Sequence, residues 1–375
     1  MTTSVDSVNE INQDFTSTAR LSVFMMLPGT KVSYPNAMKT TEQGNLATSL
    51  SQMASQSPEP VLVRLPNWVG DVCMSLPVLH LLADSGVPYV ICARPWAQDL
   101  LAAMPKLGFI PAKGKAWEDA RAVRAWRKSH PSVSRGLLLP DSLTSAMSFK
   151  LAGLQSAGYQ DDGRTLLLSW PLAKPQPKPH AVKHWFGIAL HALQQWGIRP
   201  ARVEPDSSLN LRLAPEHLKE SSQLMQVNDL QAGNFVLIAP TATGLHHGKV
   251  KVWPHFDSLT LALQQAGYRV VMCPPPNERD AANRNAPHAE MLPPLGLGSF
   301  AALATQSSLV ICNDSGVSHL AAATGTRQLT LFGVTDPGRT GPWTSQAWCM
   351  GSSTDWPRLD DVTQQALALL GSTSS

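Results

Sequence analysis

Short runs of four or five apolar residues recur along this chain, and most are followed by a stretch in which apolar residues return every three or four positions. Residues 61–65 form the first such run, and a helical pattern follows over about 71–83. A strand at 89–92 precedes a helix near 96–103. A charged helix follows at about 117–129, then a strand at 136–139, and a long helix at 180–196 closes the series. A second series starts at 235–239 and continues through strands at 268–272, 308–312 and 329–332, with a helix at 317–324 after the third. Apolar runs without alternation, joined through helices, predict parallel sheets buried on both faces.

Residues 1–57 break this pattern. They are rich in Ser, Thr, Asn and Gln and hold no helical or strand period, so a disordered extension with no assigned role is expected. Residues 197–215, rich in Pro, Arg and Asp, read as a linker between the two series. The expected domains are therefore 58–200 and 201–375, and 375 residues suffice for two.

Composition removes several classes of function. The net charge is +3 with no Lys/Arg-rich run, which argues against a nucleic-acid partner. Hydrophobic residues make up 43% of the chain, yet the longest early apolar run, 21–27, is too short to span a bilayer. Cys73, Cys92, Cys273, Cys312 and Cys349 fall mostly in apolar elements without metal-ligand spacing, which predicts reduced thiols in a cytoplasmic protein. A G-x-G-x-x-G fingerprint is missing, which disfavours a dinucleotide dehydrogenase.

The candidate chemistry lies in polar strand-to-helix turns. Asn313-Asp314-Ser315-Gly316-Val317-Ser318-His319 is one, where free N–H groups and the helix dipole suit a phosphate. A helix cap at Asp314 or Ser315 accounts for the same residues. Gly333-Val-Thr-Asp-Pro337 is a second polar turn on the same sheet edge, and two such turns side by side make a ligand crevice. Val61-Leu-Val-Arg-Leu-Pro-Asn-Trp-Val-Gly-Asp71 and Lys251-Val-Trp-Pro254 complete the set. In this order, over 61–337, they resemble the ADP-heptose:lipopolysaccharide heptosyltransferases of glycosyltransferase family 9. The Pro-Asn-Trp-Val-Gly-Asp segment is most similar to the heptosyltransferase II branch.

That resemblance implies an α/β fold of GT-B architecture, with two Rossmann-like domains facing a central cleft. It implies inverting transfer of a heptose from an ADP-heptose donor to the lipid A-linked inner core of lipopolysaccharide, by the branch the second heptose. The enzyme would be cytoplasmic and work at the inner face of the inner membrane. Heptosyltransferase I or III, a nucleotide-sugar epimerase and a non-catalytic binding protein remain as alternatives. With no D-x-D pair to hold a cation against a diphosphate, neither metal nor cofactor is expected.

The resemblance also suggests residue roles. Asp71 is the candidate general base, kept ionised by the helix it opens, although a helix cap explains most Gly-Asp pairs. Gly70 permits the tight turn before it. Lys251 is the candidate phosphate cation, against the simpler reading of an exposed surface lysine; nearby Lys249 lacks the spacing to Trp-Pro. Thr241 and Thr243 can donate hydroxyls to the diphosphate, and Glu278 can hold the ribose. Backbone N–H groups near Ser315 and Gly316 would assist beside Asp314. His319 can reach a phosphate or ribose hydroxyl, or pack within the helix. On the acceptor side stand Asn67, Trp68, Gly70, Asp141 and Ser142, the last two also explicable as caps.

Overall fold

The computed structural model describes residues 58–371 except 162, 243, 244 and 247, and except the side chains of 245, 246 and 249. The extension expected over 1–57 lies outside the described residues.

The first half opens with β1 (Val61–Arg64), α1 (Val69–Met74), α2 (Leu76–Asp84), β2 (Tyr89–Ala93), α3 (Ala97–Leu100) and β3 (Gly108–Pro111). It continues through α4 (Ala116–Lys128), β4 (Arg135–Leu138), α5 (Leu143–Leu151), β5 (Gln155–Tyr159), a 3₁₀ turn (Arg164–Leu167), β6 (Trp170–Leu172) and α6 (Ala181–Gln195). The second half has α7 (Pro215–Val227), β7 (Phe235–Ala239), a hairpin of β8 (Leu245–His246) and β9 (Lys249–Val250), α8 (Phe256–Gln265) and β10 (Arg269–Met272). Then come α9 (Arg279–Asn285), β11 (Glu290–Met291), α10 (Leu297–Gln306), β12 (Leu309–Asn313), α11 (Gly316–Ala323), β13 (Gln328–Phe332), α12 (Pro337–Thr340), β14 (Ala347–Gly351) and α13 (Leu359–Gly371).

Two parallel six-stranded sheets result, ordered β3-β2-β1-β4-β5-β6 and β11-β10-β7-β12-β13-β14. In each, the chain moves outward on one side and then crosses to the other. The pairs β1/β4 and β7/β12 therefore bracket the switch points at which open α/β sheets bind ligands. Strands β1, β2, β7, β12 and β13 are buried throughout, and apolar residues fill most of their positions, with Arg64, Asn313, Gln328 and Thr330 as buried polar exceptions. Alternate residues of β1 serve different cores. Val61 and Val63 join one that also takes Leu237 and Val310 of the second sheet, while Leu62 faces Val123 of α4 and Phe149 of α5.

Several elements depart from the expected pattern. The helix expected over 71–83 is two helices, broken at Ser75. Pro77 has no N–H and its ring clashes with the carbonyl four residues back, so a continuous helix cannot pass through it. The helix near 96–103 shortens to Ala97–Leu100. Strand β5 was not visible in the pattern because its sequence, Gln-Ser-Ala-Gly-Tyr, is nearly free of branched side chains. The structure supplies the reason: a Cβ on Gly158 would meet the guanidinium of the fully buried Arg164.

Candidate functional site

A cleft of about 400 Å³ opens at the carboxyl ends of the first sheet's strands. Asn67, Trp68 and Asp71 reach it from the segment after β1, and Asp141 and Ser142 from the segment after β4. Lys174, Lys178, His184 and Trp185 line it near α6, and Arg339 of α12 closes it from the second half.

Trp68 is 69% exposed and serves as the N-cap position of α1, although its side chain makes no cap bond. The Asn67 amide oxygen accepts a hydrogen bond from the buried Arg64 at 2.7 Å. Asp71 is half-buried in the first turn of α1. Burial pushes its pKa up to about 6, and the positive charge of Lys251 works against that rise. The helix dipole was expected to keep this carboxylate ionised; with its pKa at about 6 it is still mostly ionised at neutral pH, though burial makes it more basic than an ordinary aspartate.

Gly70 was expected to serve a tight turn. It lies inside α1 instead, and what it supplies is space: a Cβ there would sit 2.5 Å from His319 Cδ2. Across the same seam, a Cβ on Gly316 would lie 3.2 Å from Val69 Cβ. The first turns of α1 and α11, one from each half, thus touch through two glycines.

On the second-sheet side, Asp314 is 5% exposed. It accepts from Thr335 Oγ1 at 2.6 Å and faces Lys251 Nζ at 3.6 Å and His319 Nε2 at 3.8 Å. Lys251 is accordingly neither free nor fully exposed, with 21% of its side-chain surface accessible. Ser315 is the N-cap of α11, its hydroxyl accepting from Val317 N–H at 3.3 Å. His319 is 5% exposed, and burial holds its pKa down to about 4 despite Asp314, so the ring is neutral. Its Nδ1 has no hydrogen-bond partner among the described residues.

The Lys251-Val-Trp-Pro turn is anchored from β12. Asn313 Oδ1 accepts from Trp253 N–H at 2.9 Å, while its amide nitrogen donates to Ala239 O and Thr241 O, each at 3.4 Å. Trp253 is fully buried and its indole donates to Pro357 O at 2.9 Å. Thr241 Oγ1 donates to Glu278 Oε2, so these two expected residues do meet. Thr243 lies outside the described residues, as does the Lys249 side chain.

Asp141 is tied to Lys174 Nζ at 2.8 Å and lies 3.8 Å from His184 Nε2. Burial pulls its pKa upward, but the hydrogen bonds and charges of His184 and Lys174 win, and the carboxyl sits below its ordinary value. Ser142 caps α5, accepting from Ser145 N–H at 3.3 Å. Sequence reasoning missed Lys174, His184 and Thr335. Only Thr335 left a trace, as part of the polar turn after β13. Among the described residues no group of three or more His, Cys, Asp or Glu is placed to hold a metal ion.

A family model described as Glycosyltransferase family 9 (heptosyltransferase) matches residues 129–368. The chain is 25% identical over 307 residues to the lipooligosaccharide heptosyltransferase 2 of Haemophilus influenzae, covering 76% of this chain and 87% of that one. It is also 25% identical over 317 residues to the lipopolysaccharide heptosyltransferase 2 of Escherichia coli, covering 76% and 86%. Among solved structures, the E. coli ADP-heptose heptosyltransferase II superposes with a TM-score of 0.67 at 22% identity, over 84% of this chain and 100% of that one. A family 9 glycosyltransferase from Veillonella parvula gives 0.69 at 15% identity, over 84% and 97%. The shared fold is GT-B: two parallel sheets, each wrapped by helices.

Proposed function

The chain belongs to glycosyltransferase family 9, and on that premise we propose that it moves a heptose, with inversion, from ADP-L-glycero-D-manno-heptose to the inner core of lipopolysaccharide, adding the second heptose. The observation that carries this reading is the placement of Asp71. Its carboxylate lines the cleft of the first half and also feels the charge of Lys251 from the second.

Transfer requires three things: an acceptor hydroxyl must lose its proton, the sugar carbon must pass through an oxocarbenium-like state, and a diphosphate must leave. Asp71 takes the proton. A pKa near 6 leaves it mostly ionised at neutral pH yet basic enough to accept, which suits a general base. Lys251 and the N–H groups at the start of α11, around Ser315 and Gly316, offset the charge that grows on the diphosphate, so no metal is required. Asp314 acts behind Lys251, holding the ammonium rather than touching phosphate. Glu278 holds the ribose, and Thr241, hydrogen-bonded to it, stands on the diphosphate side. Asn67, Trp68, Asp141 and Ser142 face the acceptor.

In this reading residues 58–200 receive the acceptor and 201–375 the nucleotide sugar. Support for the second heptose comes from the extent of likeness. Matches to heptosyltransferase 2 proteins run over 76% of the chain, whereas those to heptosyltransferase 1 proteins run over 24% and those to heptosyltransferase 3 proteins over 30% and 36%. The test is a screen of truncated core lipids with ADP-heptose, read by mass spectrometry. One added heptose on the acceptor that already carries a single heptose is expected. Addition only to a heptose-free acceptor would reassign the enzyme to the first step.

A further inference from the structure

Four large apolar side chains on the outer layer of the first sheet are uncovered: Trp117 at 65% exposure, Leu143 at 40%, Met147 at 39% and Leu166 at 89%. Topology gathers them. α4, α5 and the Arg164–Leu167 turn follow β3, β4 and β5 in the chain, α5 packs against both of the others, and all three contribute to one core on the same face of the sheet. Trp117, Leu143 and Leu166 therefore stand at the carboxyl ends of the strands. That is the end where Ser142, next to Leu143, lines the cleft.

The exposed stripes continue as basic ones. On α4 the exposed positions 117, 121, 124 and 128 are Trp, Arg, Arg and Lys, spaced to share one helix face. On α5 positions 143, 147 and 150 are Leu, Met and Lys. The Arg124 guanidinium lies 5.8 Å from the centre of the Trp117 ring. Acidic charge on α4 is already engaged. Glu118 pairs with Lys113 and Lys115 at 3.0 Å each, and the buried Asp119 accepts from Lys113 and Gly114 N–H groups at 2.7 and 3.0 Å. α5 has no acidic residue.

We propose that this face, with Trp117, Leu143, Met147 and Leu166 as its apolar rim and Arg121, Arg124, Lys128 and Lys150 behind it, docks the protein on an anionic phospholipid bilayer and brings the cleft mouth to a lipid-linked acceptor. Apolar residues enter the headgroup layer while flanking cations meet lipid phosphates, the usual division of labour at such surfaces. Charge complementarity selects the occupant, because the described side chains leave a positive face for a negative plane. Among the described residues no helix is long and apolar enough to cross a membrane, so attachment by these residues is peripheral. The lipid-linked nature of the acceptor rests on the proposed function; the docking surface itself does not.

The experiment is co-sedimentation of the full chain with vesicles of equal parts phosphatidylglycerol and phosphatidylethanolamine, against vesicles of phosphatidylcholine alone. Binding to the anionic vesicles, weakened by salt, is expected. Arg121→Gln with Arg124→Gln should weaken it about 30-fold, and Trp117→Ser with Leu166→Ser by roughly 10-fold or more. Both pairs should leave transfer to a water-soluble acceptor fragment unchanged while slowing transfer to acceptor embedded in vesicles. Vesicle binding that is absent, or equal in wild type and both variants, overturns the docking surface even if soluble transfer is intact. Loss of binding in the variants of a protein that transfers no heptose to any acceptor would support the surface and reject the functional reading instead.

Discussion

Replacing Gly70 by alanine tests the contact between the two halves. The new Cβ would lie 2.5 Å from His319 Cδ2, where ordinary contact begins at 3.4 Å. His319 cannot easily retreat, since its ring is 5% exposed and held between α1 and Asp314. Overpacking of this kind costs roughly 1–3 kcal/mol. If that cost falls on the closed, reacting geometry, kcat drops by about 5- to 150-fold. Folding stability should move less, because exchanging a helical glycine for alanine returns about 0.5–1 kcal/mol. Adding His319→Ala makes room again, so the double variant should turn over faster than Gly70→Ala alone. A Gly70→Ala enzyme with normal kcat, or a loss that His319→Ala does not relieve, would refute a role for this contact in turnover.

Lys251→Ala should lower kcat by up to about 10²-fold and weaken ADP binding. It also strips Asp314 of its cation, so stability should fall by roughly 1–3 kcal/mol, while Lys251→Arg should recover part of the activity; unchanged ADP affinity would make Lys251 structural. Asp71 has a folded pKa of about 6 against an ordinary 3.8, so the native state binds the extra proton and loses stability as pH rises through that window. Asp71→Asn should therefore be more stable than wild type at pH ~8 by roughly 1–3 kcal/mol, with the advantage gone below pH ~4, as read by chemical denaturation. Wild-type turnover should rise with pH through about 6, and a flat profile there would remove Asp71 as the titrating base. Transfer should survive excess EDTA; complete loss, restored by one divalent ion, would overturn the cationic route.

The central strands were legible because burial on both faces leaves an apolar run, as in Val61 to Val63 and Phe235 to Ala239. Strand β5 and the edge strands β3, β6 and β14 were not, since small residues, prolines and half-exposed positions dilute the pattern. Site residues on the turns after β1 and β12 were legible as polar breaks in apolar sequence. Their partners were not. Nothing in the sequence ties Asp314 to Thr335 or Asp141 to Lys174, because those pairings arise only when distant strand ends meet. The same limit applies to Gly70, whose neighbour lies 249 residues away along the chain. Burial at Asp71 is set by distant chain in the same way, whereas the helix dipole is local and can be read from the sequence.

The most direct measurement is ADP release from ADP-heptose, with and without a heptosylated core acceptor, by wild type and Asp71→Ala together with their ADP affinities. Release that depends on acceptor, and that falls by about 10²–10⁴-fold in the variant while ADP affinity holds, is the predicted result. Release at the same rate without acceptor, or near-normal turnover by Asp71→Ala, would contradict it.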